Sequence, residues 1–315
     1  MSELSLVIRT FHCRELLREC LSRLAGQTFK DVEVIVVDSG SADGTVEAAR
    51  AAGARVVEVP PGTFTYGGTL NRGFREARGR LLGALSAHAM LLEPAALERL
   101  VDELRNGGPS VAGAYGCPFF SDAEAMAPPG GALAERIVQG DLARQCNLGL
   151  SNSFSVIRRE LWEAYPFPEE RCEDQKWAAH HLARGLATVR VRSARYRYRL
   201  NRNLGYYVRK HRDDLLMLHR TWPECPWPLE ELRDSSRNRY RLWCAVRRLR
   251  KNRWNWNGLD DLQKWLISED LGVCWAGCRL RRGRLWWIAG ASDLARAFLL
   301  PKARKGWLMP EGGES

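Results

Sequence analysis

The sequence predicts an α/β fold with a mainly parallel sheet in residues 1–200, followed by a helical, basic extension in residues 201–315. In the first half, short apolar runs alternate with helical stretches of about ten residues, an order typical of βαβ units. The run VEVIVVD is rich in β-branched apolar residues, as expected of a parallel strand buried on both faces. Beyond residue 200, apolar residues recur at helical spacing among many Arg and Lys side chains.

The predicted elements follow from these patterns in chain order. LSLVI, VEVIVVD, RVVEVP and RLLGALSA are predicted strands, and RELLRECLSRLAGQ, TVEAARAAG and TLNRGFREARG are predicted helices between them. SGSADG has turn chemistry, GTFTYGG is predicted to be a loop, and residues 107–150, rich in Gly and Pro, are predicted to be irregular. A later helix is predicted to begin at Glu173. The last predicted helices carry the apolar sets Leu204, Val208, Leu215, Leu218 and Tyr240, Trp243, Val246, Leu249.

Composition narrows the class of protein. A chain of 315 residues can form one large domain and a smaller appendage. The start MSELSLVIRTFHC lacks the basic and apolar segments of a signal peptide, and no uncharged apolar run approaches the roughly 20 residues that span a bilayer. Nine cysteines without paired CxxC spacing predict reduced thiols. We therefore expect a cytoplasmic protein.

The net charge of +11 lies entirely in the tail. Residues 1–198 carry 24 basic and 24 acidic side chains, whereas residues 199–315 carry 24 and 13, together with 10 of the 12 tryptophans. One interpretation is that the tail helices pack on the core and present a solvated basic face. Another places them peripherally on an anionic membrane surface, with Trp and Leu at the acyl boundary. Nucleic-acid binding is a third interpretation, but no RRM, KH or helix-turn-helix pattern supports it, so no nucleic-acid partner is predicted.

Candidate site residues lie where predicted strands end, because open parallel sheets bind ligands beyond the carboxyl ends of their strands. Asp38 ends VEVIVVD, and the triplet Ser86–His88 ends RLLGALSA. Position alone leaves simpler interpretations open. Asp38 also suits a helix cap or an Asx-turn, and a lone histidine such as His88 in an apolar stretch is more often a packed side chain.

Three stretches together resemble glycosyltransferase family 2, the inverting nucleotide-sugar enzymes of the GT-A fold. They are residues 4–45, which end in VVDSGSADGT, then FTYGGTLNRGFREARG, then SNSFSVIRRELWEAYPFPEERCEDQKWAAHHLARG. The second and third look most like the rhamnosyltransferase-like branch. The resemblance covers about residues 4–200. It implies a GT-A domain that transfers a sugar from a nucleotide-sugar donor to a glycan or glycolipid acceptor with inversion. By analogy the setting is cell-envelope polysaccharide assembly.

The resemblance also implies roles for individual residues on the donor side. It assigns the nucleotide to the ends of the first two strands and to a position in TLNRG, which are here Arg9, Thr10, Phe11, Asp38 and Asn71. Many members have a second acid directly after the aspartate to contact the base. This chain has Ser39 there, so the identity of the base stays open.

The family carries a DxD-type metal motif at the end of the strand RLLGALSA, where this chain reads Ser86, Ala87, His88. The resemblance implies that Ser86 and Ala87 contact the donor and that His88 binds a divalent cation, Mn²⁺ or Mg²⁺. Neutral imidazole suits Mn²⁺ or Zn²⁺ better than Mg²⁺, and related GT-A enzymes with a DxH motif have histidine at this position. Alternatively, cationic side chains take part of the metal's role, namely Arg195, Arg197 and Arg199.

The chemistry needs positive charge for the departing nucleoside diphosphate and a base for the attacking hydroxyl. The resemblance maps the base to Asp174, with Glu173 as the neighbouring alternative, and the acceptor-side loop to Asn152 and Ser153. Without the resemblance, two acids in a first helical turn simply complement the helix dipole.

Two other functions stay open at this point. The missing acids at Ser39 and Ser86 keep open a non-catalytic GT-A-fold subunit that acts as a binding or scaffold component of a polysaccharide assembly complex, although the intact Asp38 and Asp174 argue against it. A nucleotidyltransferase shares the alternating architecture, but it would want a glycine-rich loop after the first strand, and RTFHCRELL has no glycine there.

Overall fold

A computed structural model of the chain describes residues 2–60, 62–120, 132–141, 149–200 and 203–221, and further along residues 244–245, 247–249, 251–252, 255, 259–261, 263–269 and 271. The chain divides into two compact units, with the boundary between Arg199 and Leu200. Tyr240, Trp243 and Val246 of the predicted tail helices lie outside the described residues, as does the side chain of Leu218.

The N-terminal unit alternates strands and helices as predicted. Its first half contains β1 (Leu4–Thr10), α1 (Arg14–Ala25), β2 (Val32–Asp38), α2 (Thr45–Ala51), β3 (Arg55–Glu58), α3 (Tyr66–Glu76) and β4 (Leu81–Ser86). Its second half contains β5 (Ala89–Leu91), α4 (Ala96–Asn106), β6 (Val111–Phe119), β7 (Ala134–Ile137), β8 (Phe154–Arg158), α5 (Arg159–Ala164), α6 (Glu173–Leu182) and β9 (Ala187–Tyr198).

The described strands form one sheet in the order β3-β2-β1-β4-β8-β6-β9, and both β5 and β7 pair with β9. β3, β2, β1 and β4 are parallel, β8 is antiparallel to β4 and β6, and β9 is parallel to β6. The mainly parallel sheet is therefore confirmed. Its register pairs Thr10 with Asp38 and Arg9 with Ser86. The carboxyl ends of β1, β2 and β4 thus meet at one edge, where β8 begins.

Helices cover both faces of the sheet, which explains why β1, β2 and β4 carry buried apolar residues on both of their faces. From β1, Leu6 and Ile8 pack into a core cluster with residues of α1 and α4. Val7, between them, belongs to a second cluster that includes Phe74 of α3 and Trp177 of α6. Successive side chains of a strand point to opposite faces, so a strand covered on both sides needs an apolar residue at every position.

Two sequence predictions were wrong locally. Residues 107–150 were predicted to be irregular, but Val111–Phe119 form strand β6. Its Gly113 and Gly116 meet close neighbours instead of making turns, because a Cβ atom there would clash with the side chains of Ile157 and Phe154. The predicted loop GTFTYGG ends sooner than expected, because α3 already begins at Tyr66.

The C-terminal unit contains α7 (Leu204–Thr221), which confirms the helix predicted from Leu204, Val208 and Leu215. Further along, Leu249, Leu259 and Ile267 are buried apolar residues. Within the described part of the chain, no helix combines the length and apolar character that crossing a bilayer requires.

Candidate active site

Arg9 extends from the end of β1 to two later elements. Its Nη1 atom donates to the backbone oxygen of Tyr66 at 2.6 Å and to Oε1 of Glu173 at 3.2 Å. The guanidinium carbon lies 5.5 Å from the centre of the Tyr66 ring, and that of Arg171 lies 5.2 Å from the same ring. Because an aromatic face attracts cations, Tyr66 holds two arginines at the start of α3.

The two predicted acids open α6, directly after a residue with unusual backbone geometry. Cys172 precedes Glu173 and Asp174 and has a φ of 59°, in the left-handed region that non-glycine residues rarely adopt. Among the described residues, only His12, just after β1, shares this feature, with a φ of 45°. Such strained residues cluster at functional sites, and both of these lie beside predicted site residues.

Asp174 is the acid best placed to exchange a proton. Its Oδ2 atom accepts from the backbone nitrogen of Asn152 at 3.0 Å, and Oδ1 accepts from that of Gln175 at 2.9 Å. The residue is partly exposed although protein atoms surround much of it. Burial and the charge of Glu173 raise the pKa of Asp174 to about 7, because both disfavour the ionised form. A carboxyl that titrates near neutral pH is suited to general-base catalysis.

The segment before β8 connects these acids to the end of β4. Asn152 is 2% exposed. Besides its backbone contact with Asp174, it donates from Nδ2 to Oε1 of Glu173 at 3.3 Å. The backbone oxygen of the next residue, Ser153, accepts from the backbone nitrogen of Ser86 at 3.0 Å. The structure therefore brings the predicted acceptor residues, the predicted acids and the end of β4 together.

Tyr196 of β9 lies against the same segment. It is 1% exposed, and its side chain makes hydrogen bonds with Ser151 and Ser153. Burial raises the pKa of the Tyr196 hydroxyl, and the charge of Asp174 contributes in the same direction. The phenol therefore stays protonated near Asp174.

Asp38 is held by its own turn. Its Oδ1 atom accepts from Oγ1 of Thr10 at 2.9 Å and from Oγ of Ser41 at 2.6 Å, and Oδ2 accepts from the backbone nitrogens of Gly40 at 3.0 Å and Ser41 at 2.7 Å. A carboxylate offers about four acceptor positions, and all are used here. These bonds match the Asx-turn interpretation. Contact of Asp38 with a nucleotide stays a prediction.

Ser39, the next residue, is buried at 3% exposure, and its Oγ has no hydrogen-bond partner among the described residues. Its backbone nitrogen donates to the oxygen of Thr10 at 3.1 Å, which ties the turn to the end of β1. Phe11 follows Thr10 and is partly exposed, with its ring 4.2 Å from that of His12. The predicted nucleotide residues Thr10, Phe11 and Ser39 thus lie together at the ends of β1 and β2.

Asn71 has a different set of partners. Its Nδ2 atom donates to the backbone oxygen of Phe167 at 2.7 Å, and its Oδ1 atom accepts from the backbone nitrogen of Phe167 at 3.2 Å and from Nε1 of Trp162 at 2.8 Å. The side chain therefore joins α3 to the segment after α5. That α3 and this segment touch is clear at Gly67 too, since a Cβ atom there would overlap the backbone of Pro168. The nucleotide-lining role of Asn71 stays a prediction.

His88 lies in the turn between β4 and β5, after the buried Ala87. Its ring meets that of Tyr198 edge-on at 4.6 Å, and its backbone oxygen accepts from the nitrogen of Arg199 at 2.9 Å. Within the described residues, no group of three or more His, Cys, Asp or Glu is placed to hold a metal ion. A single imidazole does not match a metal centre built from protein ligands alone.

The arginines considered as substitutes for a metal are not equivalent. Arg195 forms an ion pair with Glu93, with its Nε atom 2.6 Å from Oε1. Arg197 and Arg199 lie further along the same strand end and are partly exposed.

Sequence reasoning missed three residues that build the site. Tyr66, Arg171 and Tyr196 had no assigned role, although each lies inside a quoted motif or strand end. The signal for Tyr66 was its place beside the two glycines of FTYGG, and for Tyr196 the alternation RYRYR. The contact of Arg9 with Glu173 had no sequence signal.

Comparisons with known proteins agree with this architecture. Residues 5–162 match the family model described as Glycosyl transferase family 2. EpsH of Bacillus subtilis (strain 168), which is named as a glycosyltransferase, is 24% identical over 231 residues, covering 69% of this chain and 67% of EpsH.

Two solved structures show the same fold. The mannosyltransferase PcManGT from Pyrobaculum calidifontis, in complex with GDP-Man and Mn²⁺, has a TM-score of 0.53 at 16% identity and covers 98% of this chain and 85% of its own. Glucosyl-3-phosphoglycerate synthase from Mycobacterium tuberculosis, in complex with Mn²⁺, UDP and glucosyl-3-phosphoglycerate, has a TM-score of 0.53 at 21% identity, covering 71% and 80%. With the family match over half of the sequence, these findings show that the chain belongs to glycosyl transferase family 2 and is a glycosyltransferase of the GT-A fold.

Proposed function

We propose that this glycosyltransferase moves a sugar from a nucleotide-sugar donor to a hydroxyl of a glycan or lipid-linked acceptor, with inversion, and that Asp174 is the general base. The observation that carries the proposal is the carboxyl of Asp174. It is partly exposed at the edge where β1, β4 and β8 meet, and its pKa is raised to about 7. A base with a pKa near the working pH combines a large ionised fraction with useful basicity.

The proposed reaction is one in-line displacement. The acceptor O–H bond breaks, and its proton moves to a carboxylate oxygen of Asp174. The electron pair that stays on the acceptor oxygen forms the new bond to the anomeric carbon. The bond from this carbon to the diphosphate oxygen breaks at the same time, and its electron pair leaves on the nucleoside diphosphate. Attack opposite to the leaving group inverts the anomeric configuration.

The donor is proposed to occupy the ends of β1, β2 and β4. Thr10, Phe11 and Ser39 lie together there, and Ser86 and Ala87 end β4 in register with β1. Charge on the leaving diphosphate needs cationic stabilisation. We propose that Arg197, Arg199 or a divalent cation that contacts His88 supplies it. A cation there would depend on diphosphate oxygens for most of its ligands, because His88 offers a single nitrogen.

The cellular setting is proposed from the tail and from the acceptor class. We propose a GT-A domain in residues 1–200 and an extension in residues 201–315 that rests on the cytoplasmic face of an anionic membrane. The charge excess and most of the tryptophans lie in that extension, as expected of an interfacial segment. Such a position would suit an enzyme of cell-envelope polysaccharide synthesis whose acceptor is carried on a lipid.

The first experiment measures the melting temperature of the protein with UDP-, dTDP-, GDP- and CMP-sugars, each with and without Mn²⁺. A ligand at 100 times its Kd stabilises by about 2.7 kcal/mol, which a melting curve detects. The nucleotide that stabilises then serves as donor in a turnover assay, either transfer to acceptor or slow hydrolysis by water. Asp174→Asn is expected to keep the nucleotide shift and to lose about 10²–10⁴-fold in kcat.

Asp102→Asn is the matched control, because it makes the same change on α4, at an exposed acid paired with Arg105. It should retain both nucleotide binding and turnover. Turnover near the wild-type rate in Asp174→Asn would remove Asp174 from the role of base. If no nucleotide raised the melting temperature, the binding or scaffold function would be favoured over catalysis.

A further inference from the structure

One ion pair joins a residue near the beginning of the N-terminal unit to a residue near its end, directly beside the proposed base. Nη1 of Arg9 lies 3.2 Å from Oε1 of Glu173, and the two side chains are only 15% and 6% exposed. The partners are 164 residues apart in sequence. A buried charge is costly unless it is paired and hydrogen-bonded, and this contact gives each of the two side chains a partner of opposite charge.

Further contacts fix both ends of this pair. Arg9 is anchored by the backbone oxygen of Tyr66 and by the face of its ring. Glu173 accepts a second hydrogen bond from Nδ2 of Asn152. The backbone nitrogen of Asn152 binds Asp174. Asn152 therefore makes hydrogen bonds with both acids, whereas Arg9 makes its hydrogen bond with Glu173.

We infer that Arg9 and Glu173 act as a positioning pair for the proposed reaction, in which Arg9 holds Glu173 as a fixed anion and that anion reserves the proton for Asp174. The inference rests on the proposed function and deepens it. It makes Glu173 a partner of the base instead of an alternative base. It also gives Arg9 a role toward the acid pair that is separate from its predicted contact with the nucleotide.

The physical reason is that two adjacent carboxylates do not ionise independently. The positive charge of Arg9 is hydrogen-bonded to Glu173, 3.2 Å from its Oε1 atom. Once Glu173 is charged, ionisation of Asp174 brings a second negative charge into a poorly solvated place. The raised pKa of Asp174 agrees with this order, since the charge of Glu173 acts to raise it and that of Arg9 acts to lower it. Tyr196 of β9 is another titratable group near Asp174, and its hydroxyl stays neutral.

The experiment measures the titration of Asp174 directly, without any substrate. Protein labelled with ¹³C at the aspartate carboxyl is titrated by NMR, and the Asp174 signal is identified by its absence in Asp174→Asn. Removing the neighbouring anion in Glu173→Gln should move the Asp174 midpoint down by about one pH unit or more. Removing the cation in Arg9→Gln should move it up by a similar amount. Arg9→Lys keeps the charge and should stay closer to wild type.

Arg50→Gln is the control, because it breaks an exposed ion pair with Glu58 on α2 and β3 and should leave the midpoint unchanged. Melting temperatures show whether each variant folds. If a variant that removes a charge does not fold, Arg9→Lys keeps the test decisive. Midpoints that do not move, or that move in the same direction in Glu173→Gln and Arg9→Gln, would overturn the inference.

A turnover measurement separates this inference from the proposed function. If Asp174 is the base, the acidic limb of the pH profile of kcat should move with the NMR midpoint in each variant. Shifted midpoints with no matching change in the pH profile would support the pair and contradict Asp174 as base. Unshifted midpoints would contradict the pair, whatever the activity.

Discussion

Asp38 and Asp174 lie at the same edge of the sheet, yet the structure treats the two carboxyls in opposite ways. Asp38 is 1% exposed, and its oxygens accept four hydrogen bonds, all from residues 10, 40 and 41. Asp174 is partly exposed, accepts from two backbone nitrogens and stands next to Glu173. The first arrangement uses every acceptor position of the carboxylate, and the second leaves capacity open.

The difference shows how local donors determine what an acid can do. A carboxylate whose acceptor positions are all used by nearby donors serves to hold its turn in shape. A carboxyl with few donors and a charged neighbour keeps its proton up to neutral pH, and can therefore give it up and take it back. The edge of the sheet at which both residues lie does not distinguish them.

Among variants that test this difference between the two acids, Asp38→Ala should have the largest effect on the free energy of unfolding. The change leaves the backbone nitrogens of Gly40 and Ser41 without their acceptor, and each such loss costs about 1–3 kcal/mol. We expect the free energy of unfolding to fall by about 3 kcal/mol, measured in urea. Asp38→Asn should cost about 1 kcal/mol, since its amide can donate to the hydroxyls of Thr10 and Ser41. Equal losses in the two variants would contradict this account of the turn.

The next largest effect is expected in the pH dependence of stability, where the protonated form of Asp174 should stabilise the fold. Its pKa is raised from 3.8 to about 7 in the folded protein, so the folded state binds the proton more tightly than the unfolded chain. Its contribution to stability is complete below pH 4 and is lost as the pH rises through 7. Between pH 5 and pH 8, wild type should therefore lose about 2 kcal/mol more than Asp174→Asn.

Urea unfolding at both pH values measures this difference, and the histidines cancel because both proteins carry them. Parallel stability curves for wild type and Asp174→Asn would mean that this carboxyl is not held protonated. In that case the contrast with Asp38 would lie in exposure alone.

The smallest effect is expected in Ser41→Ala. This change removes one hydroxyl that donates to Oδ1 of Asp38 and accepts from the backbone nitrogen of His12 at 2.8 Å. The carboxylate keeps three donors, so the loss should be about 1 kcal/mol by thermal or urea unfolding. A much larger loss would show that the contact with His12, whose backbone is strained, matters more than the contact with Asp38.

Most of the fold followed from the sequence because its signals are local. The apolar strands, the turn SGSADG and the helix that begins at Glu173 are each defined by residues close together in the chain, and all were confirmed. Strand β6 was missed because its glycines read as turn residues. These positions need a small residue because the side chains of Ile157 and Phe154 approach them from β8. Local patterns cannot carry that information.

The candidate site shows the same limit. The family resemblance assigned Asp174 and Glu173 to the base and Asn152 and Ser153 to the acceptor-side loop. The structure joins Asn152 to both acids by hydrogen bonds. The contact of Arg9 with Glu173 depends on sheet order and on the path of α6, so no spacing rule reveals it. The contacts of the Asn71 amide with Trp162 and Phe167, far along the chain, likewise had no sequence signal, and its role toward the nucleotide stays a prediction.

The position of β8 has a consequence for how the protein is made. This strand lies between β4 and β6 in the sheet, although β6 precedes it in the chain. During synthesis, β4 and β6 are complete before the strand that separates them has left the ribosome. The two must stay apart or open again to receive it, and pairings so distant in sequence form slowly. Residues 173 and 174 are made later still, so a nascent chain contains β1, β2 and β4 well before it contains the proposed base, and the two regions come together only after β8 has entered the sheet.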